Sequence, residues 1–204
     1  AGSLERARQA VGMIVGRDTQ HLSESEVVRA AVETIAESAC DGVIAPVLFL
    51  VAGGPPLALA YKAVSTLDSM LGHRDDEYRD IGWASAKLDD LANWIPARLT
   101  AWSIAAAAGI VLLSPRTSLR SAAILLRDGH KHPSPNSGRP EAAMAGALSV
   151  QLGGVNCYGG RTAERPLLGD AESPLTVPHV ARAVHIMTVA YVLLVMGAVG
   201  LLWR

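Results

Sequence analysis

Cysteine and charge are both scarce in this 204-residue sequence, and each shortage excludes a class of protein. The two cysteines, Cys40 and Cys157, lie far apart and form no Cys-x-x-Cys pair, so neither a disulfide framework nor a zinc site is expected. Charged residues make up 18% of the chain, below the roughly 25% of an average soluble domain. The formal net charge is −1, without the clustered basic residues that nucleic-acid binding requires. We therefore expect a reduced, cytoplasm-facing protein that does not bind nucleic acid.

Several common signatures are also missing. Without GxxxxGK[ST], any use of a nucleotide needs another architecture, and the lack of GxSxG and HExxH removes the commonest hydrolases. No signal peptide is visible, and the chain starts at Ala1 without an initiator methionine. We expect a single membrane domain over residues 1–204 that is a fragment of a longer chain.

Hydrophobic residues, by contrast, make up 50% of the chain and gather into long runs. Residues 43–60 form a run of about eighteen uncharged residues, broken by Gly53-Gly54-Pro55-Pro56; this run predicts a full span, a re-entrant segment or two half-helices. Residues 99–113 and 184–203 predict further spans, the last ending in a Trp-Arg interface anchor. The fold class expected is therefore all-α, a polytopic integral membrane protein with amphipathic helices and polar loops between spans.

Shorter segments are predicted around these runs. Residues 3–16 form an amphipathic helix, and Ser23 or Ser25 caps a second one, with Glu26 available for a capping box. Residues 142–154 are rich in small apolar residues and too short to cross a membrane, which predicts a buried helix. Residues 159–178 are rich in proline, glycine and charge, which predicts a loop.

Three acidic residues, Glu33, Glu37 and Asp41, follow one another at a spacing of four on the second predicted helix. This spacing stacks their carboxylates on one face, where Mg²⁺ or a substrate ammonium would relieve their repulsion. A plain solvated acidic face is the alternative. Because the apolar run begins directly after Gly42, the face sits at a membrane boundary, which favours a functional role.

A second polar cluster follows the Gly-Pro break. Lys62 can pair with a phosphate or carboxylate, and Asp68 can hold a metal or orient Lys62. The alternative is a lysine that extends along apolar surface to reach water, with hydroxyls that cap a helix.

A third cluster contains Asp89, Asp90 and Asn93, whose oxygens make a plausible Mg²⁺ site. Arg98, at the start of the next apolar segment, can clamp a phosphate. A capping and interface cluster is the alternative here.

The fourth segment, residues 132–141, contains two prolines, Asn136 and a glycine, which predict a loop that runs into the buried helix. Its backbone N–H groups suit an anion, although a simple turn explains the composition equally well. His130 and His132 lie close in sequence, but no matching set of cysteines or histidines completes a metal site, so we interpret both as loop histidines.

Five segments in this order carry a resemblance to a known family: GRDT from Gly16, ETIAESACDGVIAP from Glu33, YKAVSTLDSM from Tyr61, LDDLANWIPARLT from Leu88 and SPNSGRPEAAMAGAL from Ser134. The sequence resembles the adenosylcobinamide-phosphate synthases, membrane proteins of cobalamin biosynthesis of the CobD/CbiB type, from about residue 11 to 160. The resemblance implies an ATP-dependent ligase that joins aminopropanol or its O-phosphate to the last free propionate of adenosylcobyric acid. It also implies a multi-pass protein of the cell inner or plasma membrane.

The resemblance also sets the expected ligands. ATP and Mg²⁺ are the co-substrate and counter-ion, and no tightly bound prosthetic group is expected. Partners are the corrinoid and aminopropanol phosphate, the lipid bilayer and, as candidates, other cobalamin-assembly membrane proteins. Family members carry further membrane segments before GRDT, so the chain is expected to be the C-terminal two-thirds of its protein. The family usually has Asn where this chain has Ser38 and Ser65, and serine lacks the amide's bidentate reach.

Candidate site residues follow from the chemistry of the side chains within these motifs. The candidate catalytic residues are Glu33, Glu37, Asp41, Lys62, Asp68 and Asp90. The candidate substrate-binding residues are Arg17, Asp18, Asn93, Arg98, Ser134, Asn136 and Glu141. Asp89 and Asp90 are the candidate metal ligands. The alternative functions are a non-enzymatic membrane sensor of the AmpE type and a permease, for which the broken helix at Gly53 is circumstantial support.

Overall fold

The computed structural model describes residues 3–71 and 79–202 of the chain. In these ranges the chain folds into helices and one hairpin: α1 (Leu4–Gly12), α2 (Glu24–Ser38), a π-helical segment (Ala39–Ile44), α3 (Ala45–Leu71), α4 (Arg79–Ala92), α5 (Trp94–Val111), α6 (Pro115–Asp128), α7 (Gly138–Leu148), β1 (Leu152–Tyr158), β2 (Arg161–Leu168) and α8 (Val177–Leu202).

Three helical stretches in the described part are long and apolar enough to cross a membrane. They are Glu24–Met70, Trp94–Val111 and Val177–Gly200. Each overlaps one of the three apolar runs, so the mostly helical, membrane-type architecture agrees with the prediction. The first stretch is longer than the run inside it because α2, the π-helical segment and α3 are continuous. The predicted Trp-Arg anchor lies outside the described residues.

The predicted break in the first run is confirmed. Gly53 (φ −150°, ψ 20°) and Gly54 (φ 69°, ψ −168°) leave helical geometry inside α3. Gly54 lies in the left-handed region that favours glycine, and Pro55 and Pro56 follow it at the start of the second half of the helix.

The start of α2 is also as predicted. The Oγ of Ser23 accepts a hydrogen bond from the Glu26 N–H, and the Glu26 carboxylate accepts one from the Ser23 N–H at 2.7 Å. This reciprocal capping box determines where the helix begins, and therefore which face carries Glu33 and Glu37.

The all-α prediction is wrong after residue 148. The expected helix over 142–154 ends at Leu148, where Ser149 takes a left-handed conformation (φ 59°), and residues 152–168 form an antiparallel hairpin in place of a helix end and a loop. Two features oppose a longer helix. Gly153 (φ 84°) and Gly154 (φ 87°) both have positive φ, and the ladder shifts register there before Asn156 pairs with Ala163.

The buried helix itself is confirmed over residues 142–148, all of which are buried. Its small residues let neighbouring backbones approach: the Ser121 Oγ donates to the Ala143 carbonyl at 2.6 Å, and the Arg120 Nε donates to the Gly146 carbonyl at 2.7 Å. A Cβ on Gly146 would lie 2.8 Å from the Ser121 Cα. The core formed by α5, α6 and α7 therefore holds the N-terminus of α7 in place beside the hairpin.

Candidate active site

A polar cavity of about 440 Å³ lies where the loop after α1, helices α2, α3 and α7, and the hairpin meet. Six of the predicted site residues line it: Arg17, Glu33, Glu37, Asp41, Lys62 and Glu141. They come from four separate segments of the sequence, so only the fold brings them together.

The cavity contains an ion pair between Arg17 and Glu33. Their side chains are 11% and 5% exposed, and an Arg17 Nη2–H donates to the Glu33 Oε2 at 2.5 Å. The other carboxylate oxygen accepts the Gly153 N–H at 2.8 Å, while the Arg17 Nη1 donates to the Asn156 Oδ1 at 2.8 Å. Both charges are therefore satisfied by the protein, and this pair joins α2 to β1.

Arg29 is a residue that the sequence analysis missed. It lies one turn before Glu33 on α2 and donates to the carbonyls of Gly153 and Val155 and to the Asn156 Oδ1. In the sequence, only its position on the same helical face as Glu33 indicated a role for Arg29 in the site. Its partners lie more than 120 residues away, so no local pattern links them to Arg29. Arg29 therefore holds β1, the strand that carries Gly153 and Asn156, which are the hydrogen-bond partners of Glu33 and Arg17.

Asp18 has a turn-capping role and does not line the cavity. Its carboxylate accepts the N–H groups of Gly160 at 2.9 Å and Gly159 at 3.2 Å, at the tip of the hairpin. The Gly160 N–H, followed by the Cys157 side chain, lowers the pKa of Asp18 below its ordinary value. A role in substrate binding stays a prediction.

The predicted acidic face of α2 becomes a wall of the cavity. Glu33, Glu37 and Asp41 all line it, with Asp41 contributed by the π-helical segment that continues α2. Neither Glu37 nor Asp41 forms an ion pair within 4.0 Å with a basic side chain that the structure describes. The spacing argument therefore placed three carboxylates correctly on one face.

Glu141 closes the cavity from the first turn of α7 and is 5% exposed. Burial raises the pKa of Glu141 well above its ordinary value, and the nearby carboxylates of Glu37 and Glu33 add to the effect. Glu141 and Glu37 lie close enough to share a proton.

His132, interpreted from the sequence as a loop histidine, also lines the cavity. Burial, and then the charge of Arg165, lower the pKa of His132 to about 4, so its ring is neutral at pH 7. The Ser134 N–H lies 3.0 Å from the Nδ1, and the Arg165 Nη1 lies 2.5 Å from the Nε2. A neutral imidazole has one lone pair to offer, so it can satisfy only one of these donors at a time.

The basic side of the cavity is formed by Lys62 and Arg165. Arg165 contacts His132 and donates to the Tyr158 Oη at 3.4 Å. Neither cation pairs within 4.0 Å with a carboxylate of the described chain. Arg165 was not predicted because its segment was expected to be an irregular loop.

A second acidic group, Asp68, Asp89 and Asp90, does not line this cavity, although Asp89 is close enough to Asp41 and Asp68 to interact electrostatically. Burial raises the pKa of Asp89 to about 6, with Asp68 and Asp90 adding to the shift and the Asn93 amide opposing it. Asp90 lies 3.7 Å from the Lys87 Nζ. Neighbouring residues on a helix point about 100° apart, which agrees with the different surroundings of Asp89 and Asp90.

Asn93 is buried between α3, α4 and α5. Its Oδ1 accepts from the Tyr61 hydroxyl at 2.9 Å and from the Cys40 Sγ at 3.7 Å. The Asn93 Nδ2 and the Asp89 Oδ1 are buried and make no hydrogen bond of ordinary geometry in the described structure, although the Asn93 amide lies close enough to Asp89 to lower its pKa. Orphaned buried oxygens fit a cation or water, so Asp89 remains a candidate Mg²⁺ ligand.

The remaining predicted residues make local contacts. The Arg98 guanidinium stacks 3.9 Å from the Trp94 ring and donates to the Trp94 carbonyl. The Ser134 Oγ accepts the Asn136 N–H at 3.3 Å, as in a simple turn, and the Asn136 Nδ2 donates to the Asp90 carbonyl at 2.8 Å. These contacts tie the loop before α7 to α4, and roles in substrate binding stay predictions.

Among the described residues, one group of three potential metal ligands comes together: Glu37, His132 and Glu141, whose ligand atoms lie within 4.8 Å of one another. Carboxylate and imidazole donors fit a divalent cation.

Comparison with known proteins assigns the chain to a family. The family model described as CobD/Cbib protein matches residues 1–187. Proteins named "Cobalamin biosynthesis protein CobD" from Geobacter metallireducens and Photorhabdus laumondii are 55% and 48% identical over 197 and 189 residues. These matches cover 97% and 93% of this chain but 61% and 58% of the relatives, so the chain spans about three-fifths of their length. No solved structure matches the chain. The chain belongs to the CobD/Cbib protein family.

Proposed function

We propose that the chain carries the amide-forming site of a cobalamin-biosynthesis ligase in the cell inner or plasma membrane. The reaction joins the amine of aminopropanol, or of its O-phosphate, to a propionate of adenosylcobyric acid, with ATP as co-substrate. Membership of the CobD/Cbib family and the names of its relatives support the pathway. The observation that supports the chemistry is the meeting of unpaired acidic and basic side chains in one cavity.

The size of the cavity limits what can enter it. A volume of about 440 Å³ falls within the roughly 300–1,000 Å³ of small-molecule sites. It suits a short amino alcohol and the end of one propionate arm, whereas a whole corrin is far larger. The corrin ring is therefore expected to remain outside the cavity and extend a single arm into it.

The distribution of charge matches the two reacting groups. Asp41, on the acidic wall, attracts an ammonium, and the basic side, Lys62 and Arg165, attracts a phosphate or propionate. Arg17 and Glu33 neutralise each other, so their role is to position the loop and β1. This arrangement would orient the amine of one substrate toward the carboxylate of the other.

The bond changes define what the side chains must do. ATP supplies the leaving group that a carboxylate lacks. The amine nitrogen forms the C–N bond, the activated oxygen leaves with phosphate, and the proton from nitrogen passes to a carboxylate, for which we propose Asp41. Lys62 holds the negative charge of the phosphate or propionate.

The experiment is an ATP-dependent conversion of adenosylcobyric acid to adenosylcobinamide or its phosphate, using full-length protein purified in detergent. Asp41→Asn is expected to lower the rate by about 10²–10⁴-fold, the usual worth of a general base. Lys62→Ala should abolish detectable conversion, and so should Asp90→Ala if the second acidic group takes part. Glu24→Gln, an exposed change on α2, is the matched control and should keep full activity.

Complementation provides an independent check. Full-length wild-type protein should restore cobalamin synthesis to a strain that lacks the synthase, and Asp41→Asn should not. If wild-type protein is correctly inserted and fails in both assays, the ligase proposal is wrong.

A permease is the second candidate, favoured by the non-helical backbone at Gly53 and Gly54 inside a membrane-length helix. It predicts accumulation of a corrinoid in proteoliposomes without ATP-dependent chemical change. The ligase predicts a new amide product in detergent, where no gradient exists.

A further inference from the structure

Glu37, His132 and Glu141 approach one another from three separate parts of the fold. Glu37 lies in the last turn of α2, His132 in the loop before α7, and Glu141 in the first turn of α7. One oxygen or nitrogen atom from each lies within 4.8 Å of the others, and all three residues line the polar cavity. An ion placed among them could contact two oxygens and one nitrogen at about 2.0–2.2 Å after small side-chain movements.

The two carboxylates lack a neutralising partner. Glu141 is 5% exposed, and neither it nor Glu37 forms an ion pair within 4.0 Å with any lysine, arginine or histidine in the described ranges. A buried carboxylate without a cation is costly, and a second one beside it adds repulsion. The pair therefore needs either a shared proton or a positive ion, and the cavity gives an ion a way in.

His132 favours a bound ion over a shared proton. A shared proton needs only the carboxylates, whereas a neutral imidazole beside them adds a nitrogen donor that metals prefer. His132 is buried and lines the same cavity as the two carboxylates, so a ring nitrogen lies within reach of an ion held between them. The imidazole also discriminates among cations, because Mg²⁺ favours oxygen ligands while Mn²⁺, Fe²⁺ and Zn²⁺ accept nitrogen readily.

Arg165 competes with such an ion. Its guanidinium contacts the His132 Nε2 at 2.5 Å, where the lone pair would bind a metal. Coordination through this nitrogen therefore requires Arg165 to withdraw, and the Ser134 contact at the Nδ1 has to be given up so that this nitrogen can carry the proton. Arg165 is half-buried on β2, although most residues of this strand are exposed.

We infer that Glu37, His132 and Glu141 bind one divalent first-row transition-metal ion through two carboxylate oxygens and one imidazole nitrogen. The remaining coordination positions face the cavity, where an oxygen of a carboxylate or phosphate can occupy them. This site is distinct from the Asp89–Asp90 pair, and it does not depend on the proposed amide-forming reaction.

The test is a Mn²⁺ titration of detergent-purified protein stripped with EDTA, with free Mn²⁺ measured by electron paramagnetic resonance. Wild-type protein should bind one Mn²⁺ per chain at this site. Glu37→Gln and Glu141→Gln should each weaken binding by at least about tenfold, while Glu24→Gln on the same α2 helix should leave it unchanged. Arg165→Gln should tighten binding about threefold or more, because a competing positive charge is removed.

Pulsed electron paramagnetic resonance identifies the nitrogen ligand without relying on a carboxylate variant. Saturated wild-type protein should show coupling of Mn²⁺ to an imidazole nitrogen, and His132→Gln should remove it. The inference is overturned if wild-type protein shows no such coupling, or if it binds no Mn²⁺ below about 1 mM. It is also overturned if Asp90→Asn removes the bound Mn²⁺ while Glu37→Gln and Glu141→Gln retain it.

Discussion

Replacing Arg17 by methionine tests the central structural link of the cavity. The change keeps a long, unbranched side chain but removes the positive charge that pairs with Glu33 at 2.5 Å. The exposed fractions of the two side chains, 11% and 5%, place this pair with buried ion pairs rather than with surface pairs. Surface pairs contribute about 0–1 kcal/mol, whereas removing one partner of a buried pair costs about 3–5 kcal/mol.

The expected loss of stability is toward the lower end, about 3 kcal/mol, because Glu33 keeps the hydrogen bond from the Gly153 N–H at 2.8 Å. Asn156 also loses one donor but keeps Arg29 at 3.1 Å. The free energy of unfolding can be measured by SDS titration of protein in mixed micelles. Glu33→Gln should cost less, since a neutral amide still accepts the Gly153 N–H.

The double variant gives the decisive measurement. If the two charges stabilise each other, Arg17→Met combined with Glu33→Gln should cost about 2 kcal/mol less than the sum of the single changes. A cost below about 0.5 kcal/mol for Arg17→Met, or simple additivity of the two changes, would refute the reasoning.

Two further predictions concern pH and the backbone. Because burial raises the pKa of Asp89 to about 6, its protonated form stabilises the fold below pH 4, and this contribution is lost as the pH rises through 6. Wild-type protein should therefore lose about 1–2 kcal/mol relative to Asp89→Asn between pH 4 and 7, after allowance for partial exposure, and a constant difference would contradict this. Gly153→Ala should lower stability by about 1–3 kcal/mol, because φ is 84° and the new Cβ would overlap the Pro166 carbonyl. Gly159→Ala, with positive φ but no atom within 4 Å of the Cβ, is the control, and an equal loss would mean that backbone strain alone explains the effect.

Local patterns predicted the helical part of the fold well. The Ser23–Glu26 capping box, the break at Gly53-Gly54 and the buried small-residue helix over 142–148 are all found in the structure. Each depends on interactions within a few residues or on the hydrophobic pattern of one segment. The family was also recognisable, because five short motifs occur in a fixed order.

The hairpin was missed because its stability depends on distant partners. β1 contains two glycines and β2 contains Pro166, a composition that resembles a loop when the segment is considered alone. Arg29 and Asp18, which hold the hairpin, lie more than 120 residues earlier in the chain. No pattern within residues 152–168 could reveal these contacts.

In the candidate site, too, local spacing predicted some features, and other features depend on contacts that only the fold creates. The four-residue spacing of Glu33, Glu37 and Asp41 was enough to place three carboxylates on one face, since a helix repeats every 3.6 residues. Spacing did not show that Arg17 neutralises Glu33, or that Glu37 meets Glu141.

Composition and short-range pattern by themselves therefore determined that the chain is helical and apolar, which face of α2 is acidic, and which family the chain resembles. Only the tertiary structure decided which charges are paired and which stay unpaired, because packing α7 and the hairpin against α2 sets those distances. His132 shows the difference most clearly: in the sequence it is a histidine in a proline-rich loop, and in the fold it lies beside two carboxylates.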